Sequence, residues 1–248
     1  MKEILGCIRR ADQDFQLIQP GDRVAVGVSG GKDSLMLLYA LSLYRRFCKN
    51  PYSLTAVTLT IGLGQTDTSA ISALCEKLNV PYVVKDTDIG DVVFNQRKEK
   101  NPCSLCSKMR RGALTDLCRE LNCNKLALGH HRDDALETLF LSMLYEGRIH
   151  TFHPSTFLSR SGVTQIRPMV YVPEKHIIRV VNQLKLPVMK SCCPANGFTK
   201  REEIKQLLDG ICRKYPNARE LLLSALQNED QYGLWFKPKN VSDPLMGK

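Results

Sequence analysis

The run Arg23-Val-Ala-Val-Gly-Val28, which passes through Ser29-Gly-Gly-Lys-Asp-Ser34 into Leu35-Met-Leu-Leu-Tyr-Ala-Leu41, constrains the fold more than any other part of the chain. The first segment reads as a strand buried on both faces, and the last as a helix buried nearly all round. Between them lies a glycine-rich turn. A strand that enters a helix through such a turn leaves several backbone N–H groups pointing at one spot, with the positive end of the helix behind them. Lys32 adds a full charge there, and Ser29 and Ser34 add hydroxyls. A phosphate cradle accounts for these residues together, whereas a plain polar turn leaves the lysine and the paired serines without a role. The loop is not a Walker A sequence, which would need Gly at Val26 and Ser or Thr at Asp33. Gly27 and Gly30 also miss the spacing of a dinucleotide fingerprint.

Strand and helix signals alternate through the rest of the chain. Strands are predicted at 54–60, 82–85, 125–128 and 164–167. Helices are predicted at about 66–78 and 105–121, from about 133, after Pro173, and through Ile204, Leu207, Leu208 and Ile211. The expected fold class is α/β, a parallel sheet with helices on both faces, followed by a helical C-terminal segment. Leu136, Leu139, Phe140, Met143 and Leu144 are expected to form one apolar face of the helix that begins near Asp133. The stretch from Trp235 reads as irregular.

The 248 residues, 43% of them hydrophobic, suffice for a substantial core, so disorder and miniprotein scaffolds are excluded. The formal charge of +10 makes nucleic acid the first partner to consider. Met1 to Asp12 carries charges where a leader needs an apolar run, and no stretch of 18 apolar residues occurs, so a soluble cytoplasmic protein is expected.

Ten cysteines in such a chain need a chemical explanation. Pro102-Cys-Ser-Leu-Cys106 is a CxxC at a predicted helix start, where backbone amides and nearby Arg97, Lys98, Lys100, Lys108, Arg110 and Arg111 favour thiolates. A redox pair, half of a zinc site and two ligands of an iron–sulfur cluster all fit that pattern. Ser191-Cys-Cys-Pro-Ala-Asn-Gly197 offers a third thiolate, and spacing does not choose between Cys192 and Cys193. Three protein ligands on a four-iron cluster leave one iron open to an exogenous ligand such as sulfide. Cys7, Cys48, Cys75, Cys118, Cys123 and Cys212 are expected to be packing residues.

The Ser-Gly-Gly-x-Asp-Ser loop resembles that of the PP-loop ATP pyrophosphatases, which cleave ATP between the α and β phosphates and transfer AMP to a substrate oxygen. The resemblance narrows with Gly21-Asp-Arg-Val24, the CxxC followed by Arg110-Arg111, Leu126-Ala-Leu-Gly-His-His-Arg-Asp-Asp-Ala-Leu-Glu137, and Ile166-Arg-Pro-Met169 leading to Glu174-Lys-His176. In combination these are similar to the TtcA family of tRNA 2-thiocytidine synthetases over about residues 1 to 213. The chain departs from that pattern at Thr60-Ile-Gly-Leu-Gly-Gln65 and at Ser191-Cys-Cys-Pro.

The resemblance implies an adenine nucleotide α-hydrolase domain at 1–190 and a C-terminal segment at 191–248. It implies ATP with magnesium, a [4Fe-4S] cluster, tRNA as substrate, a sulfur donor such as a cysteine desulfurase, and a homodimer. Carried over by motif, Ser29, Gly30, Gly31, Lys32, Asp33, Ser34, Gly129 and His130 would hold ATP. Asp133 and Asp134 would serve catalysis, with one placing magnesium or the base. Cys103, Cys106 and Cys193 would hold the cluster, and Arg110 and Arg111 would meet tRNA phosphates. Read without the resemblance, Asp133 and Asp134 simply oppose a helix dipole, and His131 is a polar loop residue. Thiolation of tRNA uridine, sulfur transfer with a small thiolated metabolite, and a zinc-stabilised RNA-binding module without catalysis are the competing functions.

Overall fold

The computed structural model describes residues 1–62, 67–97, 102–189, 200–228 and 233. Its six-stranded sheet has the order β3-β2-β1-β4-β6-β5. β1 (Arg23–Gly27), β2 (Ser53–Leu59), β3 (Tyr82–Lys85), β4 (Lys125–Ala127) and β6 (Val163–Ile166) pair in parallel, and β5 (Ser155–Leu158) closes one edge antiparallel to β6. The predicted parallel strands are present, each within a residue or so of its expected limits. β5 carries no readable signal, because a short edge strand with Phe157 turned to solvent lacks the buried alternation that marks a strand. An N-terminal helix also lies outside the predicted alternation: α1 (Lys2–Phe15), which buries Ile4, Ile8 and Ala11 at helical spacing.

Alternate residues of the central strand supply two core layers. Val24 and Val26 face α1, α2 (Lys32–Tyr44), α3 (Ser69–Lys77) and α7 (Glu174–Leu184), represented in that layer by Ile8, Leu38, Ile71 and Ile177. Ala25 faces the other way, with Val57, Leu126 and Val163, against Leu117 and Cys118 of α5 (Pro102–Glu120). α2 is buried over almost its whole surface, which is why it shows no amphipathic stripe. α6 (Arg132–Glu146) packs through Leu136 on Ile204 and Leu208 of α8 (Lys200–Lys214), with Leu222 and Leu226 of α9 (Ala218–Gln227) alongside.

One expectation about α6 is corrected. Leu136 and Leu139 are buried, but Met143 and Leu144 are 42% and 58% exposed. The apolar packing around α6 reaches Phe140 and Leu141 and stops there among the described residues, so the helical spacing continues for a turn beyond the contact. No helix among the described residues is long and apolar enough to cross a membrane.

The chain leaves β1 toward β2 on one side and later returns to β4 on the other, so strand order reverses at β1. In open α/β sheets a crevice forms at such a point, beyond the carboxyl ends of the strands. Here the C-terminal half of α5 packs on the sheet, while its N-terminal half stands over that crevice. A short helix, α4 (Ile89–Asp91), runs into the π-helical turn Val92–Gln96 and brings Phe94 to the rim.

Candidate active site

The glycine loop is held in shape by its own serines. The Ser34 hydroxyl donates to the Gly31 carbonyl at 3.0 Å and accepts the Ser29 N–H at 3.1 Å, with the two serine oxygens 3.2 Å apart. Gly30 adopts φ +81°, a left-handed conformation that a side chain would strain. Gly31 is the extended N-cap of α2, and no side chain caps that helix, so its first-turn N–H groups stay open to an anion. Lys32 Nζ lies 2.9 Å from Asp33 Oδ2 and 3.0 Å from Glu174 Oε1, and Lys205 approaches Glu174 Oε2 at 2.9 Å. Burial alone would raise the Glu174 carboxyl, but hydrogen bonds from Lys205 and Lys32 outweigh it and bring it down to about 2. Glu174 therefore stays ionised and anchors both lysines.

The β4–α6 loop leans on the start of α2. A Cβ on Gly129 would stand 3.0 Å from the Asp33 carbonyl carbon and 3.1 Å from the Ser34 nitrogen, so a side chain here would press on the backbone that opens α2. His131 caps α6 in a reciprocal arrangement. Its Nδ1 accepts the Asp134 N–H at 3.3 Å, and Asp134 Oδ2 accepts the His131 N–H at 2.9 Å. His131 Nε2 lies 3.7 Å from Asp33 Oδ1, so this buried ring ties the two acidic residues of the two loops together. The neighbouring His130 lines the cavity, its ring 5.1 Å from that of Phe152 and its Nδ1 without a partner among the described residues. Burial, reinforced by Arg167, outweighs Asp134 and lowers His130 to about 4, so the ring is neutral at neutral pH.

A cavity of about 640 Å³ lies between the carboxyl ends of the strands and the start of α5, a volume that suits a nucleotide-sized ligand. Of the predicted residues, Ser29, Asp33, Ser34, Gly129, His130, Asp134, Cys103, Cys106, Arg110 and Arg111 line it. Gly30, Gly31, Lys32 and Asp133 are not in its wall. Asp133 is turned into the protein, where its Oδ2 accepts the Glu174 N–H at 2.8 Å and its Oδ1 meets Arg219 Nε at 2.8 Å. It joins α6 to α7 and α9, and through Glu174 it supports Lys32.

Cys103 is exposed and Cys106 half-buried, three residues apart on α5 and open to the cavity. Cys192 and Cys193 lie outside the described residues. The chain leading to them is anchored on the glycine loop: Met189 N–H donates to the Gly30 carbonyl at 2.9 Å, and its sulfur lies 2.7 Å from where a Cβ on Gly30 would stand. Cys75 and Cys118 are buried, which pushes their thiols up to about 11 and about 12, and Cys123 is raised in the same way. These are neutral packing residues. Cys7, Cys48 and Cys212 are only partly buried.

The sequence reading missed several residues of this site. Gln165 of β6 and Arg167 just past its end line the cavity, and Phe152 receives both His130 and the Arg167 guanidinium, 4.9 Å from its centre. Arg167 and Glu174 lie inside motifs that carry the family resemblance, so a signal for them was present. Gln165 had none.

A strand, an uncapped glycine loop and a cavity at the point of strand reversal define a nucleotide-binding α/β protein, and a model of the PP-loop domain family matches residues 7–206. The chain belongs to that family and, within it, to the tRNA-cytidine(32) 2-sulfurtransferases. It is 38% identical to the protein of that name from Citrifermentans bemidjiense over 89% of this chain and 88% of the relative. With the Geobacter metallireducens protein it shares 37% identity over 92% and 90%. Among solved structures it is similar to the U34-tRNA thiolase NcsA from Methanococcus maripaludis with its [4Fe-4S] cluster, with a TM-score of 0.71 and 25% identity over 90% of this chain and 76% of that one.

Proposed function

We propose that this chain uses ATP to replace the C2 oxygen of a cytidine in tRNA with sulfur. The observation that carries the reading is that the phosphate loop, an acidic residue and the two cysteines of the CxxC open onto one cavity. The residues fit the groups involved. The open N–H groups of α2, with Ser29, Ser34 and Lys32 nearby, suit the phosphates of ATP. The Val57, Leu59 and Phe94 side of the cavity suits adenine. Asp33 and Asp134 are carboxylates on the same wall, and one of them would help to hold magnesium. Cys103 and Cys106, with Cys193 as the third ligand, would hold a [4Fe-4S] cluster, which when bound would carry the donor's sulfide to the base.

In the first step the cytidine O2 attacks the α-phosphorus of ATP and pyrophosphate leaves. In the second a sulfide sulfur adds at C2 and AMP departs with the oxygen. The loop N–H groups and Lys32 stabilise the charge that builds on the phosphates, and Arg110 and Arg111 hold the RNA backbone at the mouth. The wall of α5 and the tilted ring pair of His130 and Phe152 would shield the reacting carbon from water. The sulfur comes from a donor such as a cysteine desulfurase. A zinc-stabilised RNA-binding module would leave the phosphate loop without a role.

The test compares tRNA nucleosides by mass spectrometry with and without the gene, beside iron and acid-labile sulfide analysis of anaerobically purified protein. Loss of 2-thiocytidine in the deletion, with iron and sulfide in the protein, is expected. Unchanged 2-thiocytidine in a host that makes it, or zinc without iron, refutes the reading. A change in 2-thiouridine instead transfers it to uridine.

A further inference from the structure

We infer that Gln165 reads the pairing edge of the target base, and that Arg167, two residues along β6, sets which way its amide points. The inference rests on the proposed function, since it takes the cavity to hold ATP and a tRNA pyrimidine together. Residues two apart in a strand face the same side. Gln165 and Arg167 therefore share the face that carries Val163 into the core layer beneath α5, and both reach the cavity. Gln165 pairs in register with Leu126, beside the apolar side chains of Leu126 and Leu128 in the cavity wall.

Arg167 has hydrogen-bonding capacity that the fold does not use, and Gln165 beside it is 3% exposed with its side chain lining the cavity. Arg167 is 8% exposed. One of its terminal nitrogens is held by the His153 carbonyl and, at 3.5 Å, by the Thr156 hydroxyl, and its Nε has no partner among the described residues. Buried polar groups of this kind are costly unless something pairs with them. Here they face ligand space.

The sheet order decides which ligand. β6 lies beyond β4 from β1, so its wall stands two strands, about 10 Å, from the strand that feeds the phosphate loop. It lies on the side away from β2, whose Val57 and Leu59 form the apolar slot assigned to adenine. Gln165 therefore faces the second substrate. Cytosine offers an amine donor at N4 beside an acceptor at N3, and an amide matches both with Oε1 and Nε2. Flipped, the same amide would match uracil. Arg167 follows two residues, about 7 Å, along the chain, and its charge favours Oε1 on that side; with the base posed so that O2 faces ATP and N4 faces Arg167, that orientation matches cytosine and not uracil. O2 is left free to attack ATP.

The experiment uses the full-length protein and a stem-loop RNA carrying either cytidine or uridine at the target position. Binding is followed by fluorescence anisotropy with a non-hydrolysable ATP analogue present, and the ATP KM is measured separately. Gln165→Met, similar in size but without the amide, is expected to reduce the cytidine-over-uridine preference by roughly tenfold or more while the ATP KM stays within about twofold. Gln165→Glu, which cannot donate to N3, is expected to lose cytidine affinity to a similar extent. Melting curves identify a variant that fails to fold, and the other then carries the test. An unchanged preference in a folded variant overturns the inference, as does an absent preference in the wild type. A rise in the ATP KM alone also overturns it, because Gln165 would then read adenine. If the wild type prefers the cytidine RNA and Gln165→Met does not, yet no thiolated product forms, the proposed function fails and this inference stands.

Discussion

The two adjacent aspartates at the start of α6 separate stability from chemistry, and exchanging each for asparagine tests the division. Asp133 is 7% exposed, its Oδ2 receives the Glu174 N–H at 2.8 Å, and its Oδ1 lies 2.8 Å from Arg219 Nε and 3.5 Å from Arg132. Asparagine keeps one acceptor but removes the charge from beside two guanidinium groups. Breaking a buried ion pair costs about 3 to 5 kcal/mol when a partner is left alone. The retained acceptor, and Glu220 at 2.9 Å from Arg132, reduce that to roughly 2 to 3 kcal/mol. In a chain of this length that lowers the Tm by about 4 to 12 °C. Asp134 lines the cavity, and its asparagine can still accept the His131 N–H, so Asp134→Asn should cost about 1 kcal/mol or less. Its kcat should fall roughly a hundredfold or more, the scale of a lost charge in a closed site. Thermal melts and single-turnover AMP release at 25 °C measure the two quantities. If Asp133→Asn melts with the wild type but is inactive, or if Asp134→Asn unfolds first, the assignment is wrong.

Gly129→Ala should destabilise the chain by about 1 to 3 kcal/mol and raise the ATP KM, because its Cβ presses on the backbone of Asp33 and Ser34; an unaltered KM in a titration would separate the β4–α6 loop from ATP binding. His130 titrates near 6.5 when unfolded and near 4 when folded, so the unfolded chain holds the extra proton between those values. Its contribution is complete above pH 6.5 and is lost as pH falls toward 4, roughly 2 kcal/mol by pH 5, and denaturant midpoints should show a shallower pH slope in His130→Asn. Cys103→Ala, Cys106→Ala and Cys193→Ala should each lose iron on anaerobic purification while Cys192→Ala retains it, and iron retained in Cys193→Ala with loss in Cys192→Ala would exchange the two.

The loop, α2 and the CxxC helix were legible because each is a local pattern in which neighbours in sequence are neighbours in space. The cavity's far wall was not. Gln165 sits in a four-residue strand whose burial comes from the sheet around it, and nothing in its neighbours marks its side as the one beneath α5. Asp133 and Asp134 look equivalent in sequence, and only the packing of α6 against α7 and α9 turns one inward and leaves the other facing ligand space. The two histidines divide in a similar way. His131, read as a polar loop residue, binds the two loops together because its position falls at the helix cap.

The contact between Met189 and Gly30 has a thermodynamic consequence. The same glycine presents its neighbours' N–H groups to phosphate and carries the root of the segment that contains Cys192 and Cys193. A ligand at the loop that strengthens or weakens the Met189–Gly30 contact is, by linkage, bound with an affinity that whatever constrains Met189 alters by the same factor. If the loop binds a nucleotide and the segment after Met189 supplies a cluster ligand, as proposed, nucleotide affinity and thiol ligation are coupled through this one contact, and each is measurable as a change in the other.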